Sequence, residues 1–126
     1  MSRVFIIDDD PIHQRIAQIM IAKNHIYDEY LSFTEAEKAL EFLYQNADHK
    51  ELLPDVILLD LNMPVVDGWD FLEAFEKITK NLKKEVHVFI VTSSVDDKDK
   101  QRSKDFTTVK GFISKPLSPD MIRSTL

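Results

Sequence analysis

Residues 55–60 read Asp-Val-Ile-Leu-Leu-Asp, and Leu61, Asn62, Met63 and Pro64 follow. Four consecutive apolar side chains, Val56 to Leu59, lead into a carboxylate. An unbroken apolar run of this length is the pattern of a strand covered on both faces, whereas a half-solvated strand alternates. Working outward, similar runs occur at Val4–Ile7 and Val88–Val91, with weaker ones at Tyr30–Phe33 and Phe112–Ile113. Stretches with helical spacing lie between them. Ile12, Ile16, Ile19 and Met20 fit one helix face, as do Ala36, Ala39, Leu40, Leu43 and Ala47, and then Phe71, Phe75, Ile78 and Leu82. Thr34 with Glu37 and Asp67 with Asp70 are predicted N-caps, each with an acidic side chain three residues on. Asp10-Pro11 and Ser118-Pro119 each set a capping side chain before a proline at the first helical position. The pattern is β-α repeated five times. Strands joined through helices run parallel, which predicts an open α/β sheet with helices on both faces. Asp96 to Asp105 contains no apolar residue and is read as a short, solvated helix.

The 126 residues suit one domain, and no internal repeat or linker divides them. With 22 acidic and 16 basic residues the formal net charge is −6. That field repels phosphate backbones and anionic lipid, so neither nucleic acid nor a membrane surface is an expected partner. Cysteine is absent, which excludes disulfides, thiolate metal sites and a cysteine nucleophile. The first apolar run is too short for a signal peptide, and no segment approaches the ~18 apolar residues of a membrane span. The expectation is a soluble, cytoplasmic domain.

The polar residues that end the strands are the informative ones. Asp8 and Asp9 follow the first strand, Asp60 ends the third, Thr92 ends the fourth and Lys115 follows the fifth. In a parallel sheet these ends share one rim, where open α/β folds bind their ligands. Clustered carboxylates raise each other's pKa unless a cation sits among them. Few carboxylates, with water and phosphate oxygens completing the shell, describe Mg²⁺ better than a closed calcium cage. A lysine opposite them neutralises a phosphoryl oxygen, a threonine hydroxyl hydrogen-bonds another, and Asp60 is placed to act as a carboxylate nucleophile.

The sequence resembles the receiver domains of two-component response regulators, the CheY-like family, over nearly its whole length. The resemblance is carried by VFIIDDDP from residue 4, DVILLDLNMPVVDGWDFL from residue 55, FIVTSS from residue 89 and GFISKPL from residue 111. It implies a flavodoxin-like, doubly wound five-stranded parallel sheet of order 2-1-3-4-5. It further implies one receiver domain over residues 1–126 with no output domain. By the same resemblance Asp60 is the phosphoacceptor, Asp9, Asp60 and the Asn62 backbone carbonyl are Mg²⁺ ligands, and Asp8 acts through water. Thr92 and Lys115 complete the catalytic set, Thr92 and Phe112 form the switch, and the Lys115–Pro116 peptide is cis. The implied partners are a sensor histidine kinase or histidine phosphotransfer protein and a downstream protein target, with the chain a monomer or weak homodimer. Such a chain is not an enzyme acting on a separate substrate: it catalyses its own phosphorylation and dephosphorylation. Phe112 stands where relatives carry tyrosine. Signalling is therefore expected to lie more in residues 93–105, whose polar stretch looks poorly anchored, than in the aromatic.

Two other functions compete. A Mg²⁺-dependent phosphatase with an aspartyl-phosphate intermediate would want a carboxylate two residues beyond Asp60, where Asn62 stands. A pseudo-receiver used as a binding scaffold would lack one of the acidic residues or the lysine, and this chain keeps them all. His13, His25, His49 and His87 share no metal-ligand spacing and receive no role. Trp69 is read as a packing residue, and Gly68 and Gly111 as turn or close-approach positions.

Overall fold

The computed structural model describes residues 2–63, 66–93 and 96–126. Five strands, β1 (Arg3–Ile7), β2 (Glu29–Phe33), β3 (Val56–Asp60), β4 (His87–Thr92) and β5 (Val109–Ser114), alternate with five helices. The helices are α1 (Pro11–Asn24), α2 (Ala36–Gln45), α3 (Gly68–Thr79), α4 (Asp97–Ser103) and α5 (Pro119–Arg123), with a short 3₁₀ turn at Lys50–Leu52. All pairings are parallel and the order is β2-β1-β3-β4-β5. The predicted doubly wound architecture is the one observed.

The central strands behave as their composition dictates. All five residues of β3 are buried, because α2 and α3 cover one face and α1 and α5 the other. Alternation divides the strands between two cores. Phe5, Ile7, Ile57 and Leu59 join Phe71, Leu72 and Phe75 on one side, while Val4, Ile6, Val56 and Leu58 join Ala17, Ile21 and Ile122 on the other. Asp67 and Asp70 form a full capping box at the start of α3, and Asp10 and Ser118 cap α1 and α5 ahead of their prolines.

Three expectations need correction. The isoleucine stripe of α1 faces outward: Ile12, Ile16 and Ile19 are 68%, 43% and 48% exposed, and the buried residues are Gln14, Ala17 and Ile21. The cause is Gln14, whose side-chain amide donates to the carbonyls of Ile6, Asp8 and Phe33 at 3.1, 3.0 and 2.9 Å. Three buried acceptors at the ends of β1 and β2 thereby select the helix face, and small Ala17 lets the next turn approach. Thr34 is not the cap of α2: that place falls to Glu35, with no side-chain hydrogen bond. Finally, α4 is short and polar as expected, yet it is anchored. The Arg102 guanidinium lies 4.6 Å from the Trp69 ring centroid, and Phe106 stacks on the same ring at 6.0 Å.

If Gln14 rather than the apolar stripe sets α1, substitutions on the stripe should hardly matter to stability. Ile12→Ser and Ile19→Ser should each shift unfolding by less than about 0.5 kcal/mol, whereas Ile21→Ala should cost about 2–5 kcal/mol. Urea denaturation of the three variants checks this, and a large loss for Ile12→Ser would show that the stripe packs against the body.

Candidate functional site

β1 and β3 are neighbours in a register that pairs Ile7 with Leu59, so the carboxylates following each strand meet at one edge. Asp8 is 6% exposed and Asp60 is 5% exposed. Both use their oxygens in the same way. Asp8 Oδ1 accepts from the Asp10 backbone N–H at 2.9 Å, and Asp60 Oδ1 accepts from the Asn62 backbone N–H at 3.2 Å. These bonds two residues along the chain hold each carboxylate at its turn. Both Oδ2 atoms face Lys115, whose Nζ lies 3.4 Å from Asp8 and 3.6 Å from Asp60.

Lys115 reaches this place from the end of β5. Its backbone N–H donates to the Thr92 carbonyl at 2.9 Å, and the Lys115–Pro116 peptide is cis. Thr92 is buried at the end of β4, opposite Ser114. Phe112 pairs with Ile90, two residues back on the same sheet face, and its ring is partly buried against the main core. Asn62 is exposed at the rim. Ser94 and Val95, within the segment expected to carry signalling, lie outside the described residues, as do Pro64 and Val65.

Asp8, Asp9 and Asp60 each place a carboxylate oxygen within 4.8 Å of the others. Ligands ~2.1 Å from Mg²⁺ in an octahedron are about 3–4 Å apart, so the donor set fits one hard divalent cation with small adjustments. The electrostatics agree. Burial first, and then the neighbouring Asp8 carboxylate, push the Asp60 carboxyl above its ordinary value, against the pull of the Asn62 N–H and Lys115. A buried pair of anions with one ammonium for both is short of positive charge, which a divalent cation held by these carboxylates would supply.

One residue here escapes sequence reasoning. His13, in the first turn of α1, brings Nδ1 to 3.1 Å from Lys115 Nζ and 3.5 Å from Asp8 Oδ2. Lys115 lies 102 positions away, so no local spacing signals that contact. The signal available was weaker: a helix that starts at a strand end points its first turn at the site. His87, by contrast, lies near Glu85 at 3.3 Å and is far along β4 from the rim. The lysine, Asp8, His13 and Ile16 border a cavity of about 390 Å³ that continues to Leu117.

Gly68 explains how α3 approaches so closely. A Cβ there would lie 2.8 Å from the Asp60 carbonyl oxygen and 2.8 Å from Leu61 Cα. The Gly68 N–H instead donates to the Leu61 carbonyl at 3.0 Å.

Comparison with known proteins agrees with this geometry. The sequence matches the response regulator receiver domain profile over residues 4–126. It is 27% identical over 119 residues to the two-component response regulator ORR1 of Oryza sativa subsp. japonica, covering 93% of this chain but half the length of that protein. The chemotaxis protein CheY of Thermotoga maritima is 28% identical over 125 residues, 99% of this chain and 94% of that one. Among solved structures, a two-component response regulator from Cytophaga hutchinsonii superposes with a TM-score of 0.87 at 26% identity, covering 99% of this chain and 93% of its own. The chain belongs to the response regulator receiver domain family.

Proposed function

We propose that this protein is a phosphoacceptor switch in which Asp60 receives a phosphoryl group from the phosphohistidine of a sensor histidine kinase or histidine phosphotransfer protein. The observation that carries this reading is the pairing at the rim: a buried carboxylate whose Oδ2 faces an ammonium at 3.6 Å, with two further carboxylates within 4.8 Å. In the transfer, Asp60 Oδ2 attacks phosphorus, a P–O bond forms, and the P–N bond breaks with its electron pair leaving on the donor imidazole. Positioning and charge neutralisation supply most of the catalysis. Lys115 needs only a small movement to pair with a phosphoryl oxygen. The Thr92 hydroxyl, at the neighbouring strand end, is assigned the hydrogen bond to another. Asp9, Asp60 and the Asn62 carbonyl are the proposed Mg²⁺ ligands, with Asp8 acting through water, and the cation would offset the charge on the phosphoryl oxygens. Water attacking phosphorus later releases inorganic phosphate and restores the carboxylate, so the chemistry resets the switch rather than turning over a separate substrate.

Output is read as contact with a downstream protein, the added charge biasing the domain between two conformations. Phe112 has no hydroxyl to satisfy and is already partly buried before any phosphorylation, so the contrast at this ring is small. Among the described residues no helix is long and apolar enough to cross a membrane, and the proposed site of action is the cytoplasm, where a kinase's phosphohistidine is met.

Incubation with acetyl phosphate and Mg²⁺ should add one phosphoryl group by intact mass, Asp60→Asn should add none, and removal of the cation with EDTA should abolish the adduct. An unmodified wild-type protein would refute the assignment.

The raised Asp60 carboxyl also predicts a pH dependence of stability. The native state holds this proton more tightly than the unfolded chain does. In metal-free protein the contribution of Asp60 therefore falls as pH rises from the ordinary carboxylate range through the raised native value, and stays low above it. Asp60→Asn should raise Tm at neutral pH by a few degrees in EDTA and flatten this part of the pH profile. A lower Tm for the variant at neutral pH would mean that the Lys115 contact outweighs burial and repulsion.

A further inference from the structure

His13 stands in the middle of the proposed chemistry without a part in it. Its ring is partly exposed, on the first turn of α1, and Nδ1 has three polar neighbours. These are Lys115 Nζ at 3.1 Å, Asp8 Oδ2 at 3.5 Å and Asp10 Oδ2 at 3.6 Å. The two carboxylates are acceptors, and the ammonium is the only donor among the three. The shortest of the contacts is to that donor. Chemistry then assigns the tautomer: Nδ1 carries the lone pair and Nε2 the proton.

We propose that His13 is a positioning residue for Lys115. Its Nδ1 accepts one ammonium hydrogen and holds Nζ at the mouth of the acidic pocket, in a long hydrogen bond to Asp8 at 3.4 Å and short of close contact with Asp60 at 3.6 Å. The distances argue for this. Charge-assisted N–H···O contacts between ammonium and carboxylate normally shorten to about 2.7–2.9 Å, yet here the two stand at 3.4 and 3.6 Å while the neutral imidazole holds the closer place. The ion-pair partners of Lys115 among the described residues are the Asp8 and Asp60 carboxylates, and an ammonium released from His13 is drawn toward them. Closing onto Asp60 Oδ2 would occupy the oxygen that must attack phosphorus and engage the lysine before the phosphoryl group arrives. Held at the rim, Lys115 keeps Asp60 available and is free to move onto the new phosphoryl oxygens, which outcompete an uncharged nitrogen. Of the other residues lining the same cavity beside Ser93, the side chains of Ile16, Pro116 and Leu117 are apolar and offer the ammonium no acceptor.

The inference rests on the phosphoacceptor reading of Asp60, and its test separates the two. In the metal-free protein, without a phosphodonor, the ¹⁵Nζ resonance of Lys115 should move on His13→Leu and stay close to wild type in His13→Asn, whose Oδ1 stands near the position of Nδ1. Phosphorylation by acetyl phosphate and Mg²⁺ gives the functional arm. At saturating donor His13→Leu should be slower by about three- to tenfold, the effect of one hydrogen bond of ordinary net strength, with the half-saturating concentration unchanged. His13→Asn should recover to within about twofold of wild type, and in a Lys115→Ala background His13→Leu should change nothing further. A merely structural role would not be rescued by asparagine and would persist without the lysine. An unmoved Lys115 resonance in His13→Leu, a slow His13→Asn, or an additional loss in the Lys115→Ala background would overturn the proposal. Wild-type protein that accepts no phosphoryl group would instead refute the phosphoacceptor reading, and the resonance would still decide whether His13 holds the lysine.

Discussion

Asp8 and Asp60 end adjacent strands, and water reaches neither freely. Each has one oxygen tied to a backbone N–H two residues on, and each offers the other to the same ammonium. Two anions in so small a space can be kept only if the surrounding structure fixes them, because either would gain by moving into solvent or by taking up a proton. The fixing comes from register. A slip of one residue between β1 and β3 would send every side chain to the opposite face and carry one carboxylate away from the other. The dense apolar packing of Val4–Ile7 against Val56–Leu59, buried on both faces, makes such a slip prohibitively expensive. The sheet's two cores are in this sense what keeps the carboxylates facing each other.

Lys115 enters by a second constraint. β5 is separated from β3 by β4, so the lysine must cross the end of one strand to meet Asp60. The hydrogen bond from its N–H to the Thr92 carbonyl ties that crossing to the end of β4, which places the buried Thr92 side chain between the two partners in strand order. The site thus draws on β1, β3, β4 and β5, and β2, at the far edge, contributes instead by offering the Phe33 carbonyl that helps Gln14 orient α1.

What the sequence revealed follows from the same geometry. Asp8, Asp9, Asp60, Thr92 and Lys115 were legible because a parallel sheet converts distant strand ends into one rim, and strand ends can be read from apolar runs. The capping box at Asp67 and Asp70 was legible because it is local. The orientation of α1 was not. Apolar spacing predicts the buried face only when the burial of apolar area dominates the choice of face. Here three hydrogen bonds from one glutamine to strand-end carbonyls outweigh the isoleucine stripe. Thr34 failed as a cap because α2 begins one residue later than its spacing suggested, with Glu35 in the cap position. The His13–Lys115 and Arg102–Trp69 contacts were not legible, since each joins residues far apart in the chain through side-chain reach rather than through strand register.

The Arg102–Trp69 contact changes the expectation for α4. A helix with no apolar residue within 97–103 has no face to bury, so its attachment must come from elsewhere. It comes from the guanidinium over Trp69, from the Phe106 ring stacked on the same indole, and from Arg102 facing Glu73 at 3.9 Å. Such contacts are worth about 0.5–1 kcal/mol each where partly exposed, far less than the apolar burial that holds α3. Trp69 in turn follows Gly68, the residue that lets α3 press against the Asp60 carbonyl. The rigid side of this arrangement is therefore the one next to Asp60, and the weakly held side is α4. Compared with α3, α4 is the more weakly tethered element, held by a guanidinium over an indole, a ring stack and a long ion pair.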